Sequence, residues 1–296
     1  IGERLIEEVA GLPVEVHLAS EFQYRNQPFG KHTAVIGISQ SGETADTNGA
    51  LLKAKNNRLL TLGINNSPGS EMEAITDAGV HSRAGKEKSV ASTKAFISQV
   101  TVLAEIAAAL APAEAPLRQE LLNELTVLPE KMEQILAGSE VIEKVAKKYA
   151  DAKNFLFLGR GYEHVSAMEG ALKLKEISHI HAEAYSAGEM KHGPLALIDQ
   201  NFPTFAIATD SPVYEKTKSN ISEVKSRGGP VIALATEGNT EIAAVADDVL
   251  YVPGSLEQTQ PILNAVVMQL FAYYIARKLG RDVDYPRNLA KSVTVE

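Results

Sequence analysis

The stretch Thr33-Ala-Val-Ile-Gly-Ile-Ser-Gln-Ser-Gly-Glu-Thr44 decides the fold. Thr33 to Ile38 is a short, apolar, β-rich run, and a helical stretch follows from about Glu43. Between them, Ser39, Ser41, Thr44 and the Gln40 amide surround Gly42, a residue that permits a tight turn. Strand, glycine turn and helix open a βαβ unit. In open α/β sheets, ligands bind outside the carboxyl ends of strands. Free backbone N–H groups at a helix start favour a phosphate. Two readings stay open for these residues: an ordinary N-cap by Ser41, or a hydroxyl-lined phosphate nest. No Gly-Lys-Ser/Thr follows, so this is not a P-loop, and nucleotide binding is disfavoured.

The same alternation extends outward in both directions. Arg58–Ile64 is a second strand, Ser70–Ile75 a helix, and Val90–Ala111 a long apolar helix. Pro112–Pro116 interrupts the pattern. Two amphipathic helices follow, near Leu117–Leu136 and Glu140–Tyr149. Then the alternation restarts: strand Asn154–Leu158, helix His164–Ser178, strand Thr204–Thr209, helix Val213–Arg227, strands Val231–Ala235 and Val249–Val252, helix Pro261–Leu279. The expected architecture is two doubly wound parallel-sheet α/β domains with flanking helices, 1–138 and 139–280, and an irregular tail, 281–296. Ile1–Val9 already reads as a helix where a doubly wound unit normally opens with a strand. The first domain is therefore expected to be incomplete at its N-terminus.

Composition narrows the chemistry. The 296 residues carry a net charge of −8, which argues against nucleic-acid or anionic-membrane partners. No cysteine is present, excluding disulfides, thiolate catalysis and cysteine-ligated metals. The most apolar run, Val100–Ala113, contains Glu105 and reads as a buried helix rather than a membrane span. Ile1-Gly2-Glu3-Arg4 has no signal-peptide character. The expected compartment is the cytoplasm.

Four further segments carry candidate chemistry. Val90-Ala91-Ser92-Thr93-Lys94 precedes the long apolar helix. Taken alone, Ser92 or Thr93 is its cap; alternatively the segment adds backbone amides and a hydroxyl to a sugar site. Glu169, Lys173 and Glu176 share one helical face. A solvated Glu–Lys pair accounts for that spacing, and so does a carboxylate and amine poised over a substrate. His181–Pro194 gathers two histidines, two glutamates and a lysine without clear periodicity. A zinc-deaminase reading fails for want of cysteines, and His181 with His192 lacks further metal ligands. A proton-moving loop histidine fits better, with His179 structural. In the tail, Lys291 is either a solvated terminal lysine or an amine that folds over a site and forms a Schiff base.

Taken together, Ser-Gln-Ser-Gly-Glu-Thr-Ala-Asp (39–46), Val-Ala-Ser-Thr-Lys-Ala-Phe (90–96), Glu-Gly-Ala-Leu-Lys-Leu-Lys-Glu-Ile-Ser (169–178), Lys-His-Gly-Pro (191–194) and Pro-Arg-Asn-Leu-Ala-Lys-Ser-Val-Thr-Val-Glu (286–296) resemble the isomerase half of the glutamine–fructose-6-phosphate aminotransferase family, built of sugar-isomerase (SIS) domains. The resemblance implies that Ser39, Gln40, Ser41 and Thr44 bind phosphate and sugar. It implies that Val90, Ser92 and Ala290 contact the sugar. Glu176 would move a proton between C1 and C2, with Lys173 as helper. His192 would open the ring from a neighbouring subunit of a homodimer, and Lys291 would form the Schiff base. No metal or other cofactor is implied. Ammonia would come from a glutaminase domain missing from this chain. The family's opening isomerase strand with its Gly-Thr-Ser loop is also missing, in line with the incomplete first domain. Two other functions compete: a standalone aminosugar-phosphate deaminase or phosphosugar isomerase on this fold, and a non-catalytic sugar-phosphate sensor. The tail motif argues against the former. The joint presence of Glu176, His192 and Lys291 argues against the latter.

Overall fold

The computed structural model describes residues 1–30 and 32–291. The last residues of the tail motif, 292–296, lie outside the described residues. The chain divides into two units: residues 2–115 with the tail residues 287–291, and residues 116–286 with Ile1.

In the N-terminal unit, α1 (Gly2–Ala10) and α2 (Ala19–Phe22) precede β1 (Ala34–Ile38), α3 (Ala45–Asn56), β2 (Leu60–Asn65), α4 (Glu71–Ile75), β3 (Ala78–His81) and α5 (Lys94–Leu110). The three strands form a parallel sheet in the order β1-β2-β3. Parallel strands need crossovers of a dozen or more residues, and α3 supplies the first. It packs tightly, because a Cβ on Gly37 of β1 would stand 2.7 Å from Leu51 of α3. Leu51, Met72 and Ile75 bury together against Val35. Leu5, Ile6 and Val9 recur at helical spacing, bury one face of α1 and set it against α5. β3 has little sequence signal: Ala-Gly-Val-His contains one β-branched residue, and three of its four positions are exposed.

The C-terminal unit contains α6 (Pro116–Ala137), α7 (Ser139–Tyr149), β4 (Asn154–Gly159), α8 (Tyr162–Ser178), β5 (His181–Ser186), β6 (Thr204–Ala208), α9 (Tyr214–Lys225), β7 (Val231–Thr236), β8 (Asp248–Val252) and α10 (Gln260–Lys278). Its five parallel strands run β5-β4-β6-β7-β8, a doubly wound order whose reversal lies between β4 and β6. Side chains alternate across this sheet. Leu156, Leu158, Ala206 and Ala208 point to a core shared with Ile221 and Val224 of α9. Phe155, Phe157 and Phe205 point the other way and join Phe271 of α10 at ring separations of 5.1–6.3 Å. α8 closes onto the same layer, where a Cβ on Gly170 would meet Met268 at 2.4 Å and Phe157 at 2.9 Å.

Two expectations change. The compact units divide between Ala115 and Pro116, not at Gly138. α6 goes with the second unit because it packs on α10, and its Lys131 Nζ donates to the Gly254 carbonyl at 2.8 Å. The stretch from His181 was expected to be irregular, yet it begins as β5, an edge strand in register with β4. Its sequence, His-Ala-Glu-Ala-Tyr-Ser, is too polar for the hydrophobic pattern to reveal it. Among the described residues, no helix is long and apolar enough to cross a membrane.

Candidate active site

The turn after β1 is shaped by glycine conformation and local hydroxyl hydrogen bonds. Gly42 adopts φ +72°, a conformation that favours glycine. A Cβ there would also stand 2.3 Å from Ser70 Oγ. Ser39 Oγ accepts the Gly42 N–H at 3.1 Å and lies 2.8 Å from Thr44 Oγ1. Ser41 Oγ accepts the Glu43 N–H at 3.1 Å. The N-cap of α3 is Thr44, not Ser41, and it makes no side-chain capping bond. The first N–H groups of α3 are thus left without a side-chain cap beside three hydroxyls, the geometry that attracts an oxyanion. Backbone and side-chain bonds fix the turn from below. Asn66 N donates to Gln40 O at 3.1 Å, Met72 N to Gly42 O at 3.0 Å, and Asn48 Nδ2 to Gly42 O at 3.2 Å.

The second segment of this unit precedes α5. Thr93 is the N-cap but makes no side-chain capping bond. The cap comes from Glu87 instead, whose carboxylate accepts the N–H of Thr93 at 3.3 Å and of Ala95 at 2.9 Å. Ser92 is therefore free of the capping role. Its Oγ is shielded from solvent with no hydrogen-bond partner among the described residues. A buried hydroxyl without a partner is costly, so Ser92 is suited to a ligand oxygen. Lys291 folds back within the same unit, and its Nζ donates to the Ser89 carbonyl at 2.7 Å. That bond places the amine beside the Val90–Ser92 segment, with Ala290 preceding it on the exposed tail. Sequence reasoning missed Glu87 and Ser89. The first lies six residues before the helix it caps, and the second acts through its backbone.

The third constellation lies on α8 in the C-terminal unit. The Glu169, Lys173 and Glu176 face is not solvated: Glu169 is 7% and Lys173 3% exposed. Eleven other α8 positions, including Ala167, Ala171 and Leu174, are buried or partly buried around them. Lys173 Nζ stands 2.6 Å from Glu176 Oε2 and 3.7 Å from Glu169 Oε1. The approach to Glu176 is an ion pair without hydrogen-bond alignment, since Oε2 has no hydrogen-bond partner. Burial pushes Glu169 up to about 7; Lys173 opposes that and Glu176 reinforces it. A charged amine shared between two shielded carboxylates can hold one of them ionised while it handles a proton. His192 sits exposed on the 3-10 turn Glu189–His192 that follows β5. Among the described residues, no group of three or more His, Asp or Glu is arranged to hold a metal ion.

A family model for the SIS domain matches residues 1–109 and 148–277. The chain therefore belongs to the SIS-domain family. Within it, the similarity runs to the C-terminal, isomerase half of glutamine–fructose-6-phosphate aminotransferases. The enzyme of Chlorobaculum tepidum is 51% identical over 299 residues, covering 100% of this chain and 49% of that protein. The Thermus thermophilus enzyme is 50% identical over 302 residues, covering 100% and 50%. The chain thus spans about half the length of the curated relatives it matches. Among solved structures, the C-terminal domain of glucosamine-fructose-6-phosphate aminotransferase from Francisella tularensis superposes with TM-score 0.89 and 36% identity, over 96% of this chain and 82% of that one. A Thermotoga maritima glucosamine-6-phosphate deaminase shares the fold, with TM-score 0.80 and 24% identity, over 98% and 85%.

Proposed function

We propose that this chain is the isomerase module of a glucosamine-6-phosphate-forming aminotransferase. Its substrate is fructose 6-phosphate, with ammonia delivered by a glutaminase domain. Ser39, Gln40, Ser41 and Thr44 hold the phosphate, and Val90, Ser92 and Ala290 line the sugar. His192, supplied by the neighbouring subunit of a cytoplasmic homodimer, opens the ring and exposes the C2 ketone. The Lys291 amine adds to that ketone and water leaves; ammonia then adds to the iminium carbon and displaces the Lys291 amine, leaving a C2 imine that acidifies the C1 proton. Glu176 removes that proton from C1 and returns it to C2, while Lys173 steadies the charge.

The observation that carries the reading is the buried pairing of Lys173 with Glu176 at 2.6 Å. An exposed i,i+3 pair contributes little to stability, and a shielded one is costly unless it serves a purpose. The test is Glu176→Gln in the full chain. Interconversion of fructose 6-phosphate and glucose 6-phosphate should fall by ~10²–10⁴-fold, with sugar-phosphate affinity kept within about threefold. Full activity in that variant removes Glu176 from the mechanism.

A further inference from the structure

The proton step leaves one buried group unused. Each time Glu176 takes the C1 proton it becomes neutral, and Lys173, only 3% exposed, loses its nearest counter-ion. An uncompensated buried ammonium is strongly disfavoured. The Lys173 Nζ has a second carboxylate in reach, Glu169 Oε1 at 3.7 Å, one helical turn before it on α8. That oxygen is shielded and has no hydrogen-bond partner of its own. Among the described residues, the charged groups facing Glu169 are Lys173 and Glu176 from its own helix; α10 presents the uncharged Gln269, whose side-chain amide favours the ionised form of Glu169.

We propose that Glu169 is a positioning residue for the isomerisation, the reserve counter-ion that holds Lys173 charged and in place while Glu176 carries the substrate proton. The inference rests on the isomerase reading above. No bond to the substrate is made or broken at Glu169; the one proton its carboxyl gives up or takes back is exchanged with solvent. The ammonium leans toward Glu176 when Glu176 is ionised and toward Glu169 when it is not. The asymmetry of the two distances fits a resting state in which Lys173 pairs first with Glu176. Burial holds Glu169 near neutrality, with an apparent value of about 7 that belongs to the coupled triad. Its charge therefore responds to its neighbours within the working pH range. Protonating Glu176 removes a repulsive negative charge and favours ionised Glu169, so the two carboxylates exchange the role of counter-ion.

A purely structural carboxylate and a reserve counter-ion differ in kinetics. In the full chain, Glu169→Gln keeps the shape of the side chain and removes its charge. The expected result is a kcat for fructose 6-phosphate lowered by about tenfold or more, with KM changed less than about threefold, because the interaction is needed only once the proton has moved. Wild-type kcat is expected to fall as pH drops through about 7, where Glu169 becomes neutral, and the variant is expected to lack that acid limb. An unchanged kcat, or an acid limb retained at the same pH, overturns the inference. If Glu169→Gln does not fold, Gln269→Leu takes its place. Removing the amide beside Glu169 should move the acid limb to higher pH, and a limb that stays where it was overturns the proposal. A wild-type chain that binds both sugar phosphates without interconverting them overturns the isomerase reading itself, and this inference with it.

Discussion

The two parallel sheets carry the same strand–helix grammar at different depths. Every residue of β6 and β7 is buried, and Phe155, Phe157, Phe205 and Phe271 lock one face of that sheet to α10. In the three-stranded sheet only one residue of β1 is buried and none of β3. Ile38, Leu60 and Val80 are all more than 40% exposed. The Ser39–Thr44 turn, the proposed phosphate site, nevertheless follows β1 of the thinner sheet. Its geometry depends on local backbone chemistry around Gly42 and the hydrogen bonds of Asn48, Asn66 and Met72. Core depth and ligand geometry are thus separable, and the buried triad on α8 belongs to the deep side.

Substitutions can break that comparison. The largest effect is expected at Phe205, which is fully buried between two ring contacts. Phe205→Ala should cost ~3–5 kcal/mol in chemical denaturation, whereas Leu51→Ala in the smaller N-terminal cluster should stay near the lower end of ~2–5 kcal/mol. Equal losses would show that the two cores are equally deep. Gly42→Ala comes next. The positive φ and the contact with Ser70 are expected to cost about 1–2 kcal/mol in stability. The same change should weaken sugar-phosphate binding, read by calorimetry, because the turn must move. Unaltered affinity would take the nest out of the site.

Much of this was legible in the sequence, and the gaps have physical causes. β1, β2, β4, β6, β7 and β8 were visible because Val, Ile, Leu and Phe cluster in short runs that end in polar residues, glycine or proline. β3 and β5 were not, since edge strands need no continuous apolar run. The strand-to-helix turn was legible from Ser39 to Thr44 because hydroxyls, glycine and helix start occur together. The triad was half legible: spacing put Glu169, Lys173 and Glu176 on one face, but charge at i, i+3 and i+4 cannot distinguish a solvated face from a shielded one. The packing of α6 on α10 has no local signature, because an apolar stripe does not say which partner it meets. The Glu87 cap and the Ser89 carbonyl that receives Lys291 carry no local signature.

The role of Lys291 gives the sharpest test. Incubating the full chain with saturating fructose 6-phosphate and borohydride, followed by peptide mass spectrometry, should reveal one reduced sugar-phosphate adduct, on Lys291. Saturation by the sugar phosphate with no adduct, or with the adduct on another lysine, would contradict the account.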